Sequence, residues 1–130
     1  MKHSFKGLTA LVVEDEWLLR EDIVSDLQRE EWTVLEAATG AGALVALREA
    51  NSIDLLVTDI KLADALTGWD VAEVFRKSHP QSPVIYASGN PVNNVRRVKD
   101  SWFLTKPTST SEIIAAYRDL VNDRNKKSSI

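Results

Sequence analysis

Three acids and a lysine stand where apolar runs of the chain come to an end. Glu14 and Asp15 close the run Leu8-Thr9-Ala10-Leu11-Val12-Val13, Asp59 closes Ile53-Asp54-Leu55-Leu56-Val57-Thr58, and Lys106 closes Ser101-Trp102-Phe103-Leu104-Thr105. A short apolar run that stops at a lone polar residue reads as a buried strand delivering that residue to the end of a sheet. If the strands are parallel neighbours, three carboxylates and one ammonium meet at one sheet edge. Carboxylates packed together repel one another, and a bound divalent cation relieves the repulsion. A lysine beside them neutralises phosphoryl charge. The set points to a site for a divalent metal and a phosphoryl group. Taken singly, each residue has a plainer reading. Glu14-Asp15-Glu16 would be acids at a helix N-terminus, Asp59 a turn cap and Lys106 a solvated lysine.

The elements that must position these residues alternate strand and helix with little linker. The first strand covers about residues 8–13. A helix follows over 16–30, with Trp17, Leu18, Ile23, Val24, Leu27 and Trp32 at helical spacing and acids in its first turn. Thr33 to Ala37 is a short strand, and Thr39-Gly40 opens an alanine-rich helix to about Glu49, with Leu44 and Leu47 inward. The third strand runs from about Asp54 to Thr58, and a long loop with Asp64 and Gly68 leads to a helix with Val71, Ala72, Val74 and Phe75 inward. Pro80 stops that helix. Pro83 to Ser88 is the fourth strand, ended by Gly89-Asn90-Pro91. Residues 92–99 make a poor helix, with two asparagines, three valines and few apolar positions. The fifth strand is about 102–105. Residues 109–124 form a last amphipathic helix, with Ser/Thr caps and Ile113, Ile114, Tyr117, Leu120 and Val121 inward. Residues 125–130 read as a frayed polar tail beyond a domain spanning 1–124.

Five strands alternating with five helices imply a parallel sheet covered on both faces. Ligands of such sheets bind beyond the carboxyl ends of the strands. Glu14, Asp15, Asp59, Ser88 and Lys106 all fall there. The 130 residues suit one compact domain. With 16 basic against 19 acidic residues, the net charge of -3 carries no basic surplus for nucleic acid. Cys is absent, which excludes disulfides and thiolate chemistry. No signal-like N-terminus and no run long enough for a bilayer occur, and a cytoplasmic protein is expected.

Glu14-Asp15 after strand 1, Asp59 after strand 3, Ser88 after strand 4 and Lys106-Pro107 after strand 5 resemble the receiver domain of two-component response regulators. The likeness spans about residues 7–123 and is closest to chemotaxis-regulator-like, stand-alone receivers. It implies a flavodoxin-like (βα)5 fold with strand order 2-1-3-4-5. It also implies that Asp59 takes a phosphoryl group from a sensor histidine kinase or a histidine phosphotransfer protein. Magnesium suits the acids, with Asp15 and Asp59 as direct ligands and Glu14 as a ligand through water. By the same resemblance the backbone carbonyl of Lys61 is a further ligand, Lys106 pairs with the phosphoryl group, and the Lys106–Pro107 bond is cis. Ser88 and Phe103 become the switch pair, and Lys61 and Asn90 flank the phosphoryl group and tune its hydrolysis. An output face is expected from the poor fourth helix, the fifth strand and the last helix, with Arg96, Arg97, Lys99, Trp102 and Arg118. It would serve a downstream protein or a homodimer.

The sequence departs from the family after Asp59, where a Met-Pro pair is common and Leu62-Ala63 stands here, so a looser loop is expected. If the chain is whole, no residues remain for a DNA-binding or enzymatic domain, and output falls to protein contact or phosphate relay. A binding module that keeps the fold without phosphorylation is one rival; the intact acid set argues against it. An aspartyl phosphatase would need an acid where Lys61 stands. Flavin or nucleotide binding would need a Gly-rich loop after the first strand.

Overall fold

The computed structural model of the chain describes residues 5–89 and 96–128. Five parallel strands form one sheet in the order β2-β1-β3-β4-β5. They are β1 (Thr9–Val13), β2 (Thr33–Ala37), β3 (Leu55–Asp59), β4 (Val84–Ser88) and β5 (Ser101–Thr105). Four helices are described: α1 (Trp17–Arg29), α2 (Gly40–Glu49), α3 (Gly68–Ser78) and α4 (Thr110–Ser128). This is the flavodoxin-like fold.

Alternation along the strands divides the core into two layers. Leu11, Val13, Leu56 and Tyr86 face Ala43 of α2 and Val71, Ala72 and Phe75 of α3. Ala10, Val12, Leu55, Val57 and Ile85 face Val24 and Leu27 of α1 and Ile113, Ile114 and Tyr117 of α4. The central strands bury nearly every side chain, because helices cover both faces. Phe5, Trp32 and Tyr117 close one end of the second layer, with Trp32 stacked on Phe5 and edge-on to Tyr117, each at 5.1 Å.

Helix starts follow capping chemistry. Thr67 and Asp70 form a reciprocal capping box on α3. Ser109 and Glu112 do the same at the start of α4. Thr39 caps α2 through the Gly42 N–H.

Several expectations are corrected. Helix α1 starts at Trp17, so Glu14, Asp15 and Glu16 precede it and no acid lies in its first turn. Trp17 and Leu18, expected to face inward, are 63% and 64% exposed at the start of α1. Val74 is exposed as well, on the side of α3 away from the sheet. Of the weak helix expected over 92–99, residues 92–95 lie outside the described residues, and 97–100 are not helical. Arg76 donates to the carbonyls of Lys99 and Asp100, and also to those of His79 and Ser82. Helix α4 runs on to Ser128, past the point at which a polar tail was expected to begin.

His79 ends α3 and carries a pH dependence. Its ring stacks on Phe75 with centroids 4.5 Å apart. The Ile53 N–H donates to His79 Nε2 at 3.1 Å, so that nitrogen must be unprotonated. Burial pushes the imidazole below its ordinary value, and the weaker pull of a backbone hydrogen bond and of Asp54 does not reverse this. The unfolded chain therefore takes up a proton first as pH falls. The stability His79 contributes is complete above about pH 6.5 and drains away below it, toward the lower folded-state value. Urea midpoints of the wild type should fall between about pH 7 and 5, ahead of most carboxylate titration. The profile of His79→Gln should be flatter over that interval.

Candidate functional site

The strand register builds the site. Val13 of β1 lies opposite Thr58 of β3, so Glu14 and Asp59, each one residue further on, leave the sheet at the same level. Asp59 faces Ala87, and Ser88 faces Thr105, which brings Ser88 and Lys106 to the same edge. The Lys106–Pro107 peptide bond is cis, and the Lys106 N–H donates to the Ser88 carbonyl at 2.9 Å.

Lys106 Nζ donates to Glu14 Oε1 at 2.5 Å and to Asp59 Oδ2 at 2.8 Å. The other oxygens of these acids are also engaged. Asp59 Oδ1 accepts from the Ile60 N–H at 2.6 Å, and Glu14 Oε2 accepts from the Glu16 N–H at 3.0 Å. Glu14 is 3% exposed. Burial pushes its carboxyl above the usual range, and hydrogen bonds from Lys106 and the Glu16 N–H offset only part of this. Burial alone would lower the Lys106 ammonium, but hydrogen bonds to Asp59 and Glu14 and their charges outweigh it and leave it raised. An ion pair by itself would lower its acid partner. At Glu14 burial outweighs the ion pair, because so little of that carboxylate meets water.

Carboxylate oxygens of Glu14, Asp15 and Asp59 all lie within 4.8 Å of one another. Hard oxygen donors at that spacing, open to solvent through Asp15, fit a small divalent cation such as magnesium. Ser88 is buried at the rim. Lys61 is exposed and bridges to Thr67. Phe103 is half-buried against the α2–α3 side of the sheet and faces Tyr86, while Trp102 is 52% exposed. Asn90 lies outside the described residues. Two of the basic residues expected on one output face, Arg96 and Arg118, are engaged separately. Arg96 pairs with Asp70 and Glu73 of α3, and Arg118 lies over the Phe5 ring.

The loop after Asp59 is tied down, contrary to the looser loop expected. Leu62 is buried. Asp64 accepts hydrogen bonds from the N–H groups of Gly40 and Ala41 at 3.0 and 2.9 Å, and these bonds hold its carboxyl below the usual range. The Gly68 N–H donates to the Ile60 carbonyl at 2.7 Å. A Cβ on Gly68 would lie 2.0 Å from the Asp59 carbonyl oxygen. Trp69 packs on Tyr86 with centroids 4.6 Å apart, and the Tyr86 hydroxyl accepts from the Val98 N–H. Sequence reasoning passed over the roles of Asp64, Trp69 and Tyr86, and it used Gly68 only as a loop marker. Its one local signal was a glycine immediately before a buried tryptophan.

The sequence profile of the response regulator receiver domain matches residues 10–118. The probable transcriptional regulatory protein TcrX of Mycobacterium tuberculosis is 30% identical over 88% of this chain and 50% of its own length. The sensor kinase CckA of Brucella abortus is 30% identical over 90% of this chain and 13% of its own length. The chain thus spans half or less of the length of these relatives. The crystal structure of a response regulator receiver protein from Sinorhizobium medicae superposes with a TM-score of 0.84 at 34% identity, covering 93% of this chain and 99% of that one. No helix among the described residues is long and apolar enough to cross a membrane.

Proposed function

The chain belongs to the response regulator receiver family, and from that premise we propose that it is a magnesium-dependent phosphoryl acceptor and Asp59 its acceptor residue. The donor is a phosphohistidine on a sensor kinase or a histidine phosphotransfer protein. A carboxylate oxygen of Asp59 attacks phosphorus in line. The new bond is Asp59 O–P; the bond that breaks is P–N, and the imidazole keeps the electron pair and takes up a proton. Asp15 and Asp59 would hold the cation directly, with the Lys61 carbonyl, and Glu14 through water. When bound, the cation offsets the negative charge that gathers on the phosphoryl oxygens. Lys106 turns from its carboxylate partners toward the phosphoryl group, and the Ser88 hydroxyl donates to one of its oxygens. Phe103 repacks with Ser88, altering a protein-interaction face.

The observation that carries this reading is the Lys106 ammonium bonded to both Glu14 and Asp59, with Asp15 beside them at one sheet edge. A lysine held between two acids is poised to exchange one of them for a more highly charged phosphoryl group. The test is intact mass after incubation with a small-molecule phosphodonor, with magnesium and with a chelator. One phosphoryl increment that needs magnesium and maps to Asp59 after borohydride trapping is expected. An increment elsewhere, or none with the donor of a cognate kinase, refutes the assignment. The exposed Lys61 screens the attacking water. Lys61→Ala should therefore lose its phosphoryl group several-fold faster, by about the factor that one displaced charge produces. An unchanged decay rate would remove Lys61 from that role.

A further inference from the structure

We infer that Arg20 is a positioning residue for the acidic site, so that cation affinity depends on a guanidinium that need not touch the cation or the phosphoryl group. The inference rests on the magnesium reading above.

Arg20 leaves the first turn of α1 and reaches back over the β1–α1 turn. Its Nη1 donates to the Glu14 backbone carbonyl at 2.7 Å, and its Nε donates to Glu36 Oε1 at 3.0 Å. The side chain is only 14% exposed. The Glu14 carbonyl belongs to the peptide plane that carries the Asp15 nitrogen, so holding that oxygen sets the direction in which Asp15 leaves the strand. The Glu14 N–H is still in the sheet, bonded to the Ala37 carbonyl at 3.1 Å. The chain thus passes from strand to turn between one backbone bond and one guanidinium bond. Asp15 and Glu16 are exposed, and Glu16 is held through its backbone, by Glu14 Oε2 at its N–H and the Arg20 N–H at its carbonyl. Glu36, on the neighbouring strand β2, aims the guanidinium and balances its charge. Arginine is needed because its planar fork serves two acceptors at once, which an ammonium on a flexible stem does not.

Charge and position predict opposite outcomes. A positive group near a cation site weakens binding, so by charge alone Arg20→Met should tighten magnesium and Arg20→Lys should change nothing. By position, both should loosen it. The experiment is an amide-resolved NMR titration with magnesium of the wild type, Arg20→Met, Arg20→Lys and Glu36→Gln. Amide exchange is measured on each metal-free protein. We expect both Arg20 variants to bind magnesium about tenfold more weakly, as loss of an outer-layer partner does elsewhere, and Glu36→Gln to fall between them and the wild type. The Glu16 amide, bonded to Glu14 Oε2, should exchange faster in the Arg20 variants. Unchanged or tighter binding in a folded Arg20→Met, with unchanged exchange at Glu16, overturns the inference. If Arg20→Met fails to fold, Arg20→Lys decides it by the same readings, because charge alone predicts no change there. A wild type that binds no magnesium overturns the metal reading instead, and the exchange of Glu16 then decides whether Arg20 positions the turn.

Discussion

Asp59→Asn is expected to abolish phosphoryl incorporation while the fold survives. The asparagine Oδ1 can still accept from the Ile60 N–H, which Asp59 bonds at 2.6 Å, so the turn after β3 keeps its anchor. The amide NH2 replaces the oxygen that accepts from Lys106 at 2.8 Å. A donor then faces a donor, and Lys106 is left to Glu14 alone. The lost nucleophile cannot be recovered nearby. Glu14 is buried and already shared between Lys106 and the Glu16 N–H. Asp15 sits on the exposed side, as a proposed ligand for the cation rather than for phosphorus. Intact mass should show no increment at donor concentrations that saturate the wild type. Circular dichroism and the urea midpoint should stay within about 1 kcal/mol of wild type, since one ion-pair bond is exchanged for relief from a neighbouring carboxylate. Full incorporation into Asp59→Asn would move the acceptor to another residue.

Gly68→Ala should be among the most damaging single-methyl changes available to this chain. The added carbon would stand 2.0 Å from the Asp59 carbonyl oxygen, 2.9 Å from its carbon and 3.0 Å from the Ile60 Cα. All three are backbone atoms, so no side chain can swing aside. Either α3 lifts from the end of β3, breaking the 2.7 Å bond from the Gly68 N–H to the Ile60 carbonyl, or Asp59 itself is displaced. Overpacking of this kind costs about 3 kcal/mol or more. That is a large share of the roughly 5–15 kcal/mol that holds a domain of this size together. The urea midpoint should drop accordingly, and the fraction that remains folded should bind magnesium more weakly, because the clash lies on Asp59, a proposed ligand of the cation. Gly89→Ala serves as the contrast. A Cβ there meets nothing within 4 Å, and a change of no more than about 0.5 kcal/mol is expected.

The strands are legible in the sequence because a parallel sheet buried on both faces needs apolar runs, whereas their order came only from the family resemblance. Here four of the five runs end on a residue with a charge or a hydroxyl: Glu14, Asp59, Ser88, Lys106. The meeting of Glu14, Asp59 and Lys106 follows from that pattern once the strands are parallel. The surface of α1 is less legible. Trp17 and Leu18 fit the helical spacing, but spacing does not reveal that both stay exposed at the start of α1. The weak segment after β4 is judged poorly for a related reason. Its described part is held by the Arg76 fan of backbone hydrogen bonds and by the Tyr86 hydroxyl, and these come from other elements. The Arg20–Glu36 and Asp64–Gly40 links join residues 16 and 24 apart. No local pattern encodes such partners, because they meet only after the helices have packed.

The two hydrogen bonds of Asp64 make the amides of Gly40 and Ala41 a gauge of the loop after Asp59. Those protons belong to the first turn of α2, where a helix has no carbonyl of its own to offer them. Their protection from solvent is lent by a residue five positions past Asp59. Any excursion that pulls Asp64 away unshields both protons together, while Gly42, served by Thr39, keeps its cover. Two resonances on one helix can therefore report how often the loop beside Asp59 opens, in a protein carrying no probe and no ligand.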